Sequence, residues 1–260
     1  MPAPLLPPRS GEVGDIMEAA MQVFRATLPK CLPLAMLSIL MVQLPVLNEL
    51  AAGHTVEQIK PTGVFWTLAA VGFSVRQFLA GIVMDRQRNL AAGRAPGSGG
   101  DWLVVLRRWP LLVATAAMSL FLVAIGLTPL VTRGIYSPVG FLLVSIPCIY
   151  TFVCFLLLRP LVLFERTGAV RAIQRSFLLV RPRWPKFFAA ALIGTMIVVV
   201  CSLAAMAAVQ LLGMLLSGAG IQAQAITAVG AALLLGAESV GAVYFSALWL
   251  ALYSVASSSA

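Results

Sequence analysis

Hydrophobic residues fall into six blocks of roughly 20 along the chain, with the polar positions gathered between them. As an α-helix rising 1.5 Å per residue, a block of that length covers about 30 Å, the thickness of a bilayer's hydrocarbon core. The blocks lie at approximately 30–50, 64–84, 110–131, 138–158, 186–212 and 228–253, and each predicts a membrane-crossing helix. Three of the intervening segments switch to an amphipathic helical period. In EVGDIMEAAMQVFRATLPK, Val13, Ile16, Met17, Ala20, Met21, Phe24 and Leu28 share one face, with Glu18, Gln22 and Arg25 opposite. GDWLVVLRRWP sets Trp102, Leu106 and Trp109 on one side. TGAVRAIQRSFLLVRPRWPK sets Val170, Ile173, Phe177 and Val180 against Arg171, Gln174 and Arg175. Helices of this kind lie in the plane of the membrane interface.

Each amphipathic stretch ends at a proline, Pro29, Pro110 or Pro185, and Arg108-Trp109-Pro110 nearly repeats in Arg183-Trp184-Pro185. The expected architecture is therefore all-α. It is a single integral membrane domain of six transmembrane helices and three cytoplasmic-side in-plane helices, arranged as a threefold repeat over 12–84, 101–158 and 168–253. Each repeat holds an even number of crossings, so the copies run parallel about an axis along the membrane normal.

Composition agrees: 60% of the 260 residues are hydrophobic and 10% charged, against about 25% charged in a soluble domain. The mean hydropathy is +0.97. A water-soluble enzyme and a disordered chain are both excluded. The net charge of +9 does not indicate a nucleic-acid partner, because its position decides otherwise. Arg9, Arg25 and Lys30 precede the first block; Arg86, Arg88, Arg94, Arg107 and Arg108 lie between the second and third. Arg159, Arg166, Arg171, Arg175, Arg181, Arg183 and Lys186 lie between the fourth and fifth, whereas the alternate segments hold only Lys60 and Arg133. By the positive-inside rule both termini are cytoplasmic, and the cations meet anionic phospholipid headgroups on that leaflet. MPAPLLPPRSG lacks the features of a cleaved signal peptide, so the first residues are expected to be kept. Cys31, Cys148, Cys154 and Cys201 sit in apolar stretches without zinc-ligand spacing and read as packing residues.

The segment LRPLVLFERTGAVRAIQRSFLLVRPRWPKFFAAALI at 158–193 is more specific. Through Pro160, Glu165, Gly168, Ala172, Arg175, Ser176, Leu179, Val180, Arg181 and Trp184 it resembles the membrane domain attached to some glycerophosphoryl diester phosphodiesterases and the related bacterial inner-membrane proteins. The resemblance implies a helical inner-membrane protein connected with lipid or envelope processes. In fused members the hydrolase activity belongs to a separate soluble domain and does not carry over.

Chemistry is sparse. The single histidine, His54, has no second ligand nearby, and no Walker loop, GxSxG elbow or carboxylate pair is present, so neither catalysis, metal nor cofactor is expected. GRAPGSGG reads as a flexible linker. Pro45, Pro129 and Pro147 interrupt or end spans. Glu165, Arg171, Arg175, Ser176, Arg181 and Trp184, together with Arg107, Arg108 and Trp109, are expected at the interface, as contacts between repeats or with phosphate-bearing headgroups. Arg76 and Glu238 fall inside the second and sixth blocks. A charge facing lipid there costs about 2.5–3.5 kcal/mol, so the two are expected to form a buried ion pair or to line a pathway. The functional expectation is a non-enzymatic protein that binds or transports a lipid or other amphiphile. The alternative is a membrane scaffold or assembly factor that works as a homo-oligomer or with a membrane-protein partner. A carrier should enclose a laterally open cavity, whereas a scaffold can be packed solid.

Overall fold

The computed structural model describes residues 12–54, 58–94, 101–132, 138–165, 167–218 and 223–257. Arg9, Arg133, Arg166 and residues 95–100 of the glycine-rich linker lie outside them. Every principal element is helical: α1 (Val13–Ala51), α2 (Gly63–Ala91), α3 (Asp101–Thr132), α4 (Pro138–Phe155), α5 (Leu158–Phe164), α6 (Ala169–Val180), α7 (Trp184–Gly218) and α8 (Ala223–Ser257). Six stretches of helix are long and apolar enough to cross a membrane, the number expected.

The amphipathic segments differ from expectation. The first two form no helix of their own: α1 and α3 run unbroken through Pro29 and Pro110 into the apolar stretches that follow. An interior proline removes one helical hydrogen bond and can kink the axis without ending the helix, and α1 continues through Pro33 and Pro45 as well. In the third segment Pro182 and Pro185 stand three residues apart. There α6 stops at Val180, Arg181–Arg183 forms a 3₁₀ turn, and α7 starts afresh. The face of α6 is also rotated slightly. Ala172, Ser176 and Val180 are buried, an i, i+4, i+8 row, while Val170 is 64% exposed.

The core lies at one end of the bundle, the end where the cations gather. Ile16 and Ala20 of α1, Met84 of α2, Val105 of α3, Leu157 and Leu161, Phe187 of α7, and Leu248 and Leu252 of α8 form a single buried cluster there. Gln87, fully buried, ties three helices together: its Nε2 donates to Thr27 Oγ1 at 3.2 Å and to the Val243 carbonyl at 3.0 Å. α1 and α2 approach so closely at Gly72 that a methyl group there would overlap the carbonyl oxygen of Met41. Toward the other end α7 is largely uncovered. α7 has its buried residues at Phe187, Ala190, Ala191 and Gly194, after which side chains such as Leu203, Leu211, Met214 and Leu215 are 58–73% exposed. Apolar exposure on that scale is untenable in water and ordinary against lipid. The class of molecule is thus a multi-span helical membrane protein.

Candidate functional site

The site begins with a broken helix. Pro160 lacks an N–H, and its ring clashes with the carbonyl four residues earlier, that of Leu156. α4 accordingly ends at Phe155, the Leu156 N–H falls back on the Val153 carbonyl at 3.3 Å, and α5 starts at Leu158. The carbonyl of Cys154 is left without a donor from the helical ladder and accepts the hydroxyl of Ser176 from α6. Ser176 is fully buried. It was expected at the water-lipid boundary beside Arg175; instead it closes the break.

The break aims Arg159 inward. Its Nη2 donates to Gln77 Oε1 at 2.8 Å, and its guanidinium lies 4.8 Å from the ring centre of Trp249. Counting cations by segment placed Arg159 in the interfacial collar. The structure sets it among α2, α4 and α8, where it shares a cavity with Arg76. Ten residues, about 15 Å of helix, separate Arg76 from Arg86, whose Nη1 donates to the Lys30 carbonyl near the cation-rich end.

The cavity has two lobes, of about 340 and 460 Å³, and Arg76, Arg159, Phe152, Leu156 and Trp249 line both. The first lobe reaches Ser38 of α1, Thr195 of α7 and Ser246 of α8; the second reaches Thr115 and Ser119 of α3. Ser246 is 7% exposed and its hydroxyl has no partner. Thr115, Ser119 and Thr195 donate their hydroxyls to carbonyls of their own helices. Phe152, 53% exposed, and Leu120, 57% exposed, line the cavity where it meets the bundle surface beside α4.

The expected ion pair does not form. Glu238 is exposed on α8, one turn before Ala242 of the cavity wall, and acts on Arg76 from beyond 4 Å. Among the described residues Arg175 pairs with Glu165, and neither Arg76 nor Arg159 has a carboxylate within that distance. The two guanidiniums are close enough for their charges to act on each other. Arg76 faces the cavity without a hydrogen-bond partner among the described residues.

The remaining expected site residues divide into packing groups and a surface groove. Trp109 Nε1 donates to the Ser74 carbonyl at 2.8 Å and its ring lies 5.8 Å from Phe78, so it joins α3 to α2. Trp184 stacks on Phe188 at 5.1 Å and on Tyr150 at 5.7 Å, joining α7 to α4. Glu165 holds Arg175 Nε at 2.7 Å and accepts the Tyr253 hydroxyl at 3.2 Å. Arg171, Arg175 and Arg183 line an open groove on α6, while Arg107 and Arg181 are exposed and Arg108 is partly exposed. Among the described residues no group of three or more His, Cys, Asp or Glu side chains converges to hold a metal ion.

Sequence reasoning found Arg76 and missed Arg159. The available signal was the apolar run itself: Leu156–Leu158 and Leu161–Phe164 flank Arg159-Pro160 on both sides, so the arginine interrupts an apolar stretch instead of ending one. No family model, curated protein or solved structure matches the chain.

Proposed function

We propose that this is a non-enzymatic, multi-pass protein of the bacterial inner membrane, with both termini cytoplasmic, that binds an anionic amphiphile in the cavity between its helices. One observation carries the reading: Arg76 and Arg159 face one cavity with no carboxylate in ion-pair range. Each guanidinium removed from water costs several kcal/mol unless paired, and here the two also repel. An anion between them offsets both penalties. The opening beside α4 lies midway along the helices, where acyl chains can stay in lipid while a charged group enters. The groove over Arg171, Arg175 and Arg183 attracts anionic headgroups to the cation-rich end but is open to solvent, so its contacts are weaker and screened by salt.

Native mass spectrometry of the gently extracted full chain tests this. Retained phospholipid should be lost from the double variant Arg76→Gln/Arg159→Gln and persist when Arg171, Arg175 and Arg181 are neutralised instead. Lipid retention unchanged in the double variant refutes the reading.

A further inference from the structure

Resting on that reading, we infer that the preferred occupant is a lipid phosphomonoester carrying two negative charges, not a phosphodiester phospholipid. The geometry of charge separates the two. Two guanidiniums line the cavity, and no Asp or Glu is among its lining residues. In a poorly solvated space uncompensated charge is costly, so the best ligand is the one that brings the sum nearest zero. A monoanionic phosphodiester leaves one lining cation unmatched, because Glu238, whose charge reaches Arg76, stays exposed on α8 and outside ion-pair range. A zwitterionic headgroup brings no net charge, so both cations stay uncompensated, and its ammonium finds no carboxylate among the lining residues. The π-face of Trp249, the natural seat for such an ammonium, is already taken by Arg159. A terminal phosphate dianion matches both arginines and has three free oxygens. Those are enough for the planar forks of Arg76 and Arg159 and for the unpartnered hydroxyl of Ser246. Gln77 fixes Arg159 through its amide oxygen and so acts as a positioning residue.

The experiment uses the delipidated full chain in detergent, titrated separately with phosphatidic acid, phosphatidylglycerol, phosphatidylethanolamine and inorganic phosphate, at pH 7.5 and pH 5. Binding is read by native mass spectrometry. A phosphomonoester loses its second charge with a pKa of about 6, so about a tenth remains dianionic at pH 5. Phosphatidic acid should therefore bind at least about tenfold more tightly than phosphatidylglycerol at pH 7.5 and lose about tenfold at pH 5, while phosphatidylglycerol changes little. Arg76→Gln and Arg159→Gln should each bring the two lipids to within about twofold, the single remaining cation being matched by a single anion. The pH comparison uses the unaltered chain, so a variant that fails to fold leaves the test intact. Equal binding of phosphatidic acid and phosphatidylglycerol, with no pH dependence, overturns the inference while the lipid reading stands. Failure of every lipid to bind, or displacement of phosphatidic acid by equimolar inorganic phosphate, overturns both.

Discussion

Replacing Ser176 with alanine should destabilise the protein by about 1–1.7 kcal/mol. The hydroxyl is fully buried and donates to the carbonyl of Cys154, which the break before Pro160 leaves outside the helical ladder. Alanine removes the donor without filling the space, so the carbonyl stays buried and unsatisfied at a cost of about 1–3 kcal/mol. Membrane bundles give smaller values, averaging about 0.6 and reaching about 1.7 kcal/mol per interhelical bond, because the unfolded chain in a micelle also finds partners. The overlap of those ranges sets the expectation. The control is Ser254→Ala, whose hydroxyl bonds the Ala251 carbonyl of its own helix at 2.7 Å. Its loss should cost less than about 0.5 kcal/mol. Reversible unfolding in mixed micelles, titrated with a denaturing detergent and followed by circular dichroism, gives both numbers. Equal costs for the two variants would refute the idea that α6 holds the α4–α5 break shut. Because that break carries Arg159, the Ser176 variant should also retain less lipid than the Ser254 variant.

Two further outcomes follow from packing and from charge placement. Gly72→Ala sets a methyl group against the Met41 carbonyl and should cost about 1–3 kcal/mol, whereas Gly236→Ala meets nothing within 4 Å and should stabilise α8 by up to about 1 kcal/mol; the same unfolding titration ranks them. His54 follows the end of α1 and Arg94 the end of α2, two consecutive helices of 39 and 29 residues. Cysteines placed there in a cysteine-free background should therefore react with an impermeant maleimide from opposite sides of the membrane, and labelling of both from one side would overturn the topology.

The parts of this molecule legible in its sequence are those that depend on local period. Six apolar runs became six spanning stretches because a backbone in lipid has few ways to satisfy itself other than a helix. Where tertiary packing decided, the reading failed in identifiable ways. Ser176 was assigned to the surface through its neighbour Arg175, yet its spacing from Ala172 and Val180 sets it on the buried row of α6. Trp109 and Trp184 are a different case: of the two roles expected for them, contacts between repeats or with headgroups, they make contacts of the first kind, the indole of one finding the Ser74 carbonyl of α2 and the ring of the other stacking on Tyr150 of α4. Pro29 and Pro110 resembled Pro185, but only at the last does the chain leave the α-helix, in the 3₁₀ turn Arg181–Arg183 that contains Pro182.

Arg76 and Arg159 expose the deeper difficulty. A mid-span charge is conspicuous in sequence, and the nearest acid at similar depth, Glu238, was the obvious partner. That inference treats charge balance as internal to the chain. In the folded protein Glu238 stays on the outer surface of α8, while Pro160 turns a second arginine toward the first. Had the helices evolved only to pack, an apolar side chain at either position would serve as well or better, because buried charge is weak support for stability. Two like charges on one cavity make the empty bundle less stable than an uncharged one. The same placement makes it stabilised in proportion to how tightly and how often an anion occupies it. On the proposed reading, the broken α4–α5 segment, the Ser176 bond that closes it and the Gln77 amide that orients Arg159 form one apparatus, which holds the second cation in position for a ligand.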